Sequence, residues 1–153
     1  LLFFGLHPAK MEPLPMLRGI AFGACITLTS VIVRLACGPL ESRHIPFQPP
    51  PWAFRVVWPC LYATTGAGWV IGKADVALGG VTVFCAAWLI VFACLRQKVV
   101  AALMLGLTVV LACVAAAASD GIGGWLLAPL IGWTSFATYL NTYDAYRDAS
   151  GAR

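Results

Sequence analysis

The residues whose type and spacing suit a ligand are aromatic. In the run Pro49-Pro50-Pro51-Trp52-Ala53-Phe54-Arg55-Val56-Val57-Trp58-Pro59-Cys60-Leu61-Tyr62, a proline-rich segment leads straight into Trp52, Phe54, Trp58 and Tyr62. Trp58 and Tyr62 are four apart, so they share one helix face. Their rings offer large rigid surfaces on which a flat apolar molecule can stack. A stiff loop above such a face makes a lid for an apolar cavity, and a packed helix–helix seam is the plain alternative. Pro59 predicts a kink or a late helix start. Trp88 and Trp133 fall near the middle of apolar runs, where an interfacial aromatic belt does not account for them. Trp125 lies at the end of a run and fits such a belt.

Groups for ordinary catalysis or metal binding are missing from the pattern. Cys25, Cys37, Cys60, Cys85, Cys94 and Cys113 are scattered through apolar runs, with no C-x-x-C pair. They read as small packing residues rather than as a disulfide framework, a metal site or a thiol nucleophile. His7 and His44 lie apart in flanking segments. Asp and Glu are absent from the middle of every apolar run, which disfavours a proton relay or ion-coupled carrier. There is no acid–base pair to support an enzyme of the usual kind. No catalytic, metal or resident cofactor residue is therefore assigned.

The elements that must position these aromatics are membrane helices. The 153 residues are 61% hydrophobic and 10% charged, against about 25% charged in an ordinary soluble domain. Mean hydropathy is +0.87. A crossing helix needs about 20 residues, and spans are expected at 17–37, 52–72, 76–95, 99–119 and 123–146. Backbone groups in lipid must be satisfied internally, which selects helices. A β-barrel would need alternating polarity, which Val99-Val100-Ala101-Ala102-Leu103-Met104-Leu105 lacks. The fold class is thus all-α: one five-helix transmembrane domain over 1–153. Gly38-Pro39 ends the first helix, and Lys73-Ala74-Asp75 and Arg96-Gln97-Lys98 are tight polar turns. Ser119-Asp120-Gly121 supplies a turn and an N-cap, and Asp144, Arg147 and Asp148 mark the exit of the last helix into water. Leu1–Pro15 does not read as a secretory signal, and the chain begins with Leu rather than Met.

Charge sets orientation. With five spans, Lys10, Arg18 and Lys73 lie on one side. Arg43, Arg96, Lys98, Arg147 and Arg153 lie on the other, with Arg34 and Arg55 close enough to snorkel to it. The richer side, with the proline loop and C-terminus, is expected to be cytosolic. The net charge of +4 is spread over the loops, with no basic patch for nucleic acid. Gly19-x3-Gly23 and Gly79-Gly80 allow close helix approach, and a homodimer or a tight internal seam is expected there.

Several motifs together resemble the translocator protein family, also called the tryptophan-rich sensory protein or peripheral-type benzodiazepine receptor family. Ile45-Pro46-Phe47-Gln48-Pro49-Pro50-Pro51-Trp52-Ala53-Phe54, with Trp58 and Leu61-Tyr62, is similar to the family's first loop and second helix. Pro129, Trp133, Phe136-Ala137-Thr138 and Leu140-Asn141 resemble its fifth helix, and Trp88, Phe92 and Arg96 its third. The family's third-helix Gln and Asn are replaced here by Val81 and Cys85, and the aromatics beside its fifth-helix proline by Ala128 and Leu130. The chain therefore resembles a divergent member.

The resemblance implies a five-helix bundle with an apolar pocket open toward the first loop, binding porphyrins, cholesterol or synthetic aromatic ligands. It implies ligand contacts from Pro49, Pro50, Trp52, Phe54, Trp58, Tyr62, Trp88, Trp133 and Asn141. Arg55 stands near the mouth, where it can meet a porphyrin carboxylate or snorkel. Leu140, Tyr143 and Arg147 satisfy the loose sterol-recognition pattern, and an interfacial anchor explains them equally well. The expected function is a membrane receptor or translocator for porphyrins and sterol-like molecules. Alternatives are a porphyrin-degrading membrane enzyme and a structural, partner-binding bundle without ligand. The family suggests the mitochondrial outer membrane or endoplasmic reticulum in a eukaryote, and a cell-envelope membrane in a bacterium.

Overall fold

The computed structural model describes residues 13–38, 45–72 and 74–151. Lys10, Arg43, Lys73, Arg153, both histidines and most of the N-terminal segment lie outside the described residues. The chain forms α1 (Pro13–Cys37), α2 (Pro51–Gly72), α3 (Asp75–Ala93), α4 (Lys98–Ala118), the short α5 (Ile122–Trp125) and α6 (Ala128–Ala149), and no strand is found among the described residues.

Four of the expected spans match long helices to within a few residues. The fifth is corrected. Its apolar run is continuous, yet it divides into α5 and α6 because Pro129 stands in the first turn of α6. Proline is preorganised for a helix start and cannot continue one. The N-cap expected before it is also absent: Ser119 Oγ donates back to the Ala115 carbonyl at 2.7 Å. Three helices, Met16–Cys37, Asp75–Ala93 and Lys98–Ala118, are long and apolar enough to cross a membrane. The other long helices, α2 and α6, have the length but carry Arg55 and Pro59, and Asp144, Arg147 and Asp148 respectively.

The long helices form a ring in the order α2, α1, α3, α4, α6, and the α2–α6 seam that closes it is sparse. Phe22 and Ile26 of α1, Leu61 of α2, Val81 and Leu89 of α3, Ala112 of α4 and Leu130 of α6 fill the centre. The outside is apolar too: Leu35 is 82% exposed, Val76 92% and Leu103 69%. Water would reject such a surface, whereas hydrocarbon accepts it. Most threonine hydroxyls are satisfied within their own helices, whereas the buried Thr65 Oγ1 of α2 has no hydrogen-bond partner among the described residues. Thr29, Thr82, Thr108, Thr134, Thr138 and Thr142 each donate to the carbonyl four residues back, at 2.7 to 2.9 Å.

Glycine sets the α1–α2 distance. A Cβ at Gly19 would stand 2.9 Å from the Gly66 carbonyl oxygen, and backbone cannot move aside as a side chain can. At Gly79 an added Cβ meets nothing within 4 Å. Gly19→Leu should therefore cost about 1–3 kcal/mol or more, seen as a lower Tm in detergent, and Gly79→Leu should leave Tm unchanged. Equal Tm values for the two variants would remove Gly19 from the seam.

Each end of the bundle carries its own ties. Where α1 enters, Asp75 pairs with Arg18 and accepts from Trp69 Nε1 at 2.7 Å, joining α1, α2 and α3. On the opposite face Cys37 and Cys94 form a disulfide across a Cα–Cα distance of 5.2 Å. This corrects the expectation that no cysteine has a partner. The ends of α1 and α3 meet there, although the two residues are 57 apart in sequence. Cys25, Cys60, Cys85 and Cys113 are free thiols.

Candidate functional site

Two cavities lie on the disulfide side of the ring, and Phe54, Trp88 and Ala137 line both. The inner one, of about 340 Å³, runs along the sparse α2–α6 seam. Trp58 and Tyr62 of α2, Trp88 of α3 and Trp133 of α6 surround it, with Ile26 of α1 and Cys85 of α3 behind. Arg55 also lines it and brings the one positive charge among its lining residues. The outer cavity, of about 290 Å³, lies under the first loop. Ile45, Gln48 and Pro49 cover it, and Phe92, Leu140, Asn141 and Asp144 line it from α3 and α6. Each volume is close to the lower bound of about 300 Å³ for a small-molecule site.

Helix periodicity explains which rings converge. Trp58 and Tyr62 lie one turn apart with centroids 5.8 Å apart, and Tyr62 meets Phe22 of α1 edge-on at 6.0 Å. Phe54, one turn earlier, meets Trp133 edge-on at 5.4 Å across the α2–α6 seam. Trp88 stacks on Phe92 at 5.7 Å, and its Nε1 donates to Asn141 Oδ1 at 3.3 Å. Asn141 Nδ2 in turn donates to the Ala137 carbonyl at 3.0 Å. The wall between the two cavities is thereby held in place from both sides.

From Ile45 to Gln48 the first loop makes a turn. Gln48 N donates to the Ile45 carbonyl at 3.1 Å, and Ile45 N donates to Gln48 Oε1 at 3.4 Å. Phe47 takes the left-handed conformation at φ 66°, which bulky residues rarely adopt. The turn sends Phe47 outward, 83% exposed, and Ile45 inward, 6% exposed.

Of the residues singled out from sequence, Pro49, Phe54, Trp88, Leu140 and Asn141 line the outer cavity, and Phe54, Trp58, Tyr62, Trp88 and Trp133 the inner one. Trp52 lines neither; it opens α2 with its indole 60% exposed. Pro50 is exposed. Tyr143 packs against Tyr139 at a centroid distance of 6.4 Å, and Arg147 is half-buried.

Asp144 is a correction. It does not mark an exit into water: α6 continues to Ala149, and Asp144 is only 3% exposed. Lys98 Nζ reaches Asp144 Oδ2 and Asp148 Oδ2, each at 2.8 Å. The signal in the sequence was Asn141-x2-Asp144 on one helix face, together with a lysine at the start of α4.

A helical bundle with an apolar exterior, carrying indoles from three helices on one internal cavity, has the build of a membrane protein. The model of the TspO/MBR family matches residues 13–147, most of the chain. The chain belongs to that family of membrane translocators and receptors. No curated protein matches it in a sequence comparison.

Proposed function

We propose that this protein is a receptor or translocator that holds porphyrins and related flat, sterol-sized apolar ligands between α2, α3, α6 and the first loop. The observation that carries it is the convergence of Trp58, Trp88 and Trp133, from three helices, on one cavity that also holds Arg55. Indole faces suit a macrocycle, and a guanidinium suits its carboxylate. Leu140 adds apolar wall from the sterol-recognition segment. In this account α2 and α6 cross the membrane with the other three long helices, and their polar residues turn toward the cavity and its rim.

Trp133→Ala should weaken protoporphyrin binding by about 0.5–1.5 kcal/mol beyond the lost contact area, that is, roughly two- to twelvefold or more. Trp125→Ala removes the same side chain from the far end of the bundle, where it is 79% exposed, and should change little. Trp52→Ala should fall between them. Equal losses from Trp133→Ala and Trp125→Ala, with helicity intact by circular dichroism, would mean general destabilisation rather than a binding site.

The loop-1 face and the C-terminus are proposed to be cytosolic, in the outer mitochondrial membrane or endoplasmic reticulum of a eukaryote, or in a cell-envelope membrane of a bacterium. Lys and Arg decide orientation during insertion, and a disulfide forms afterwards only where the compartment is oxidising. In this orientation the bond between Cys37 and Cys94 closes only on oxidation, and in unstressed cells the pair should be labelled by maleimide after acid quenching. A pair that resists label until it is reduced would place this face in an oxidising compartment and reverse the orientation.

A further inference from the structure

The outer cavity carries one more carboxylate than its structure needs. Lys98 bridges Asp144 and Asp148, at 2.8 Å from each. Tying α4 to α6 requires only one of them. Asp148, with its side chain 41% exposed, can do this at little desolvation cost. Asp144 is nearly fully buried and lines the cavity, where an ionised group is expensive unless it has compensating partners. Neither Lys98 nor Asp148 is among the lining residues.

The surroundings of Asp144 favour a donor. Asn141 Oδ1, which accepts from Trp88, has a second lone pair. The aromatic faces of Phe54, Trp88 and Phe92 complete the wall, and such faces attract a cation. The positive Arg55 belongs to the inner cavity. The two chambers therefore have opposite polarity. We propose that Asp144 is a specificity-determining subsite for a protonated amine carried by a flat apolar ligand. This rests on the proposed ligand site and names the chemistry of its outer half. A bound amine takes Asp144 as its counter-ion, and Lys98 keeps Asp148.

The test compares two dyes with one ring system: 9-aminoacridine, a cation at about pH 7, and acridine, which is neutral there. Each is titrated by fluorescence against the full chain in an uncharged detergent. The wild type should bind the cation about tenfold or more tightly than the neutral dye, the scale of a charge-assisted hydrogen bond. Asp144→Asn should bring the ratio of the two affinities to about one, while the α4–α6 tie survives because Lys98 keeps its bond to Asp148. Asp148→Asn touches no cavity wall, yet it leaves Lys98 with Asp144 alone of the two carboxylates, so the amine must compete with the lysine and the preference should fall. A purely structural triad predicts no change in the ratio of the two affinities in either variant. An unchanged ratio in Asp144→Asn, or equal losses for both dyes, overturns the proposal. Acridine binding without a wild-type preference for the cation overturns it and leaves the ligand site standing. If neither dye binds, the amine subsite is overturned, and protoporphyrin binding alone decides the ligand site.

Discussion

Lys98→Met should destabilise the bundle by about 3–5 kcal/mol, because it leaves Asp144 buried without its counter-ion. The expected size follows from burial: the Asp144 side chain is 4% exposed and the Lys98 side chain 23%. Asp148→Asn alone should cost less than about 1 kcal/mol, because the Asp148 side chain is 41% exposed. Combining Lys98→Met with Asp144→Asn removes both charges and should recover most of the loss. Thermal unfolding of the four proteins in one detergent gives the coupling directly. A Lys98→Met protein within about 1 kcal/mol of wild type would show that Asp144 does not depend on Lys98.

Cys37→Ser or Cys94→Ser should lower the stability of the oxidised protein by about 2–4 kcal/mol, since a crosslink between residues so far apart in sequence strongly restricts the unfolded chain. For a chain of this size that corresponds to a fall in Tm of roughly 4–16 °C. A thiol reductant should lower wild-type Tm by the same amount and leave Cys37→Ser unaffected. A wild-type melt that ignores the reductant would mean that the α1–α3 junction holds by packing alone. The bond sits at the root of the loop that covers the outer cavity, because Gly38 follows Cys37 directly.

Much of this architecture was legible in the sequence because lipid imposes a simple code. Apolar length located the helices, and the short polar turns located their ends. Trp58 and Tyr62 were singled out by their four-residue spacing, and Trp88 and Trp133 because an interfacial belt does not account for mid-span indoles; all four line the inner cavity. The division of α5 from α6 was missed because apolarity ran on through Pro129, although the proline itself was the signal. The Cys37–Cys94 pair was invisible because cysteine in an apolar run looks the same whether bonded or free; only the packing of α1 against α3 decides. Trp52 resembles its neighbours in sequence, but its place in the first turn of α2 leaves its indole 60% exposed. Asp144 was misjudged by company, since Arg147 and Asp148 follow it. Helical phase sets it on the cavity with Asn141, away from water.

The most direct measurement is a protoporphyrin titration of tryptophan fluorescence in detergent. Three of the six tryptophans, Trp58, Trp88 and Trp133, line the proposed site. The account predicts saturable quenching at one porphyrin per chain, with part of the emission, including that of the exposed Trp125, left outside the saturable phase. Quenching that rises linearly without saturation, and equally in wild type and Trp133→Ala, would contradict it.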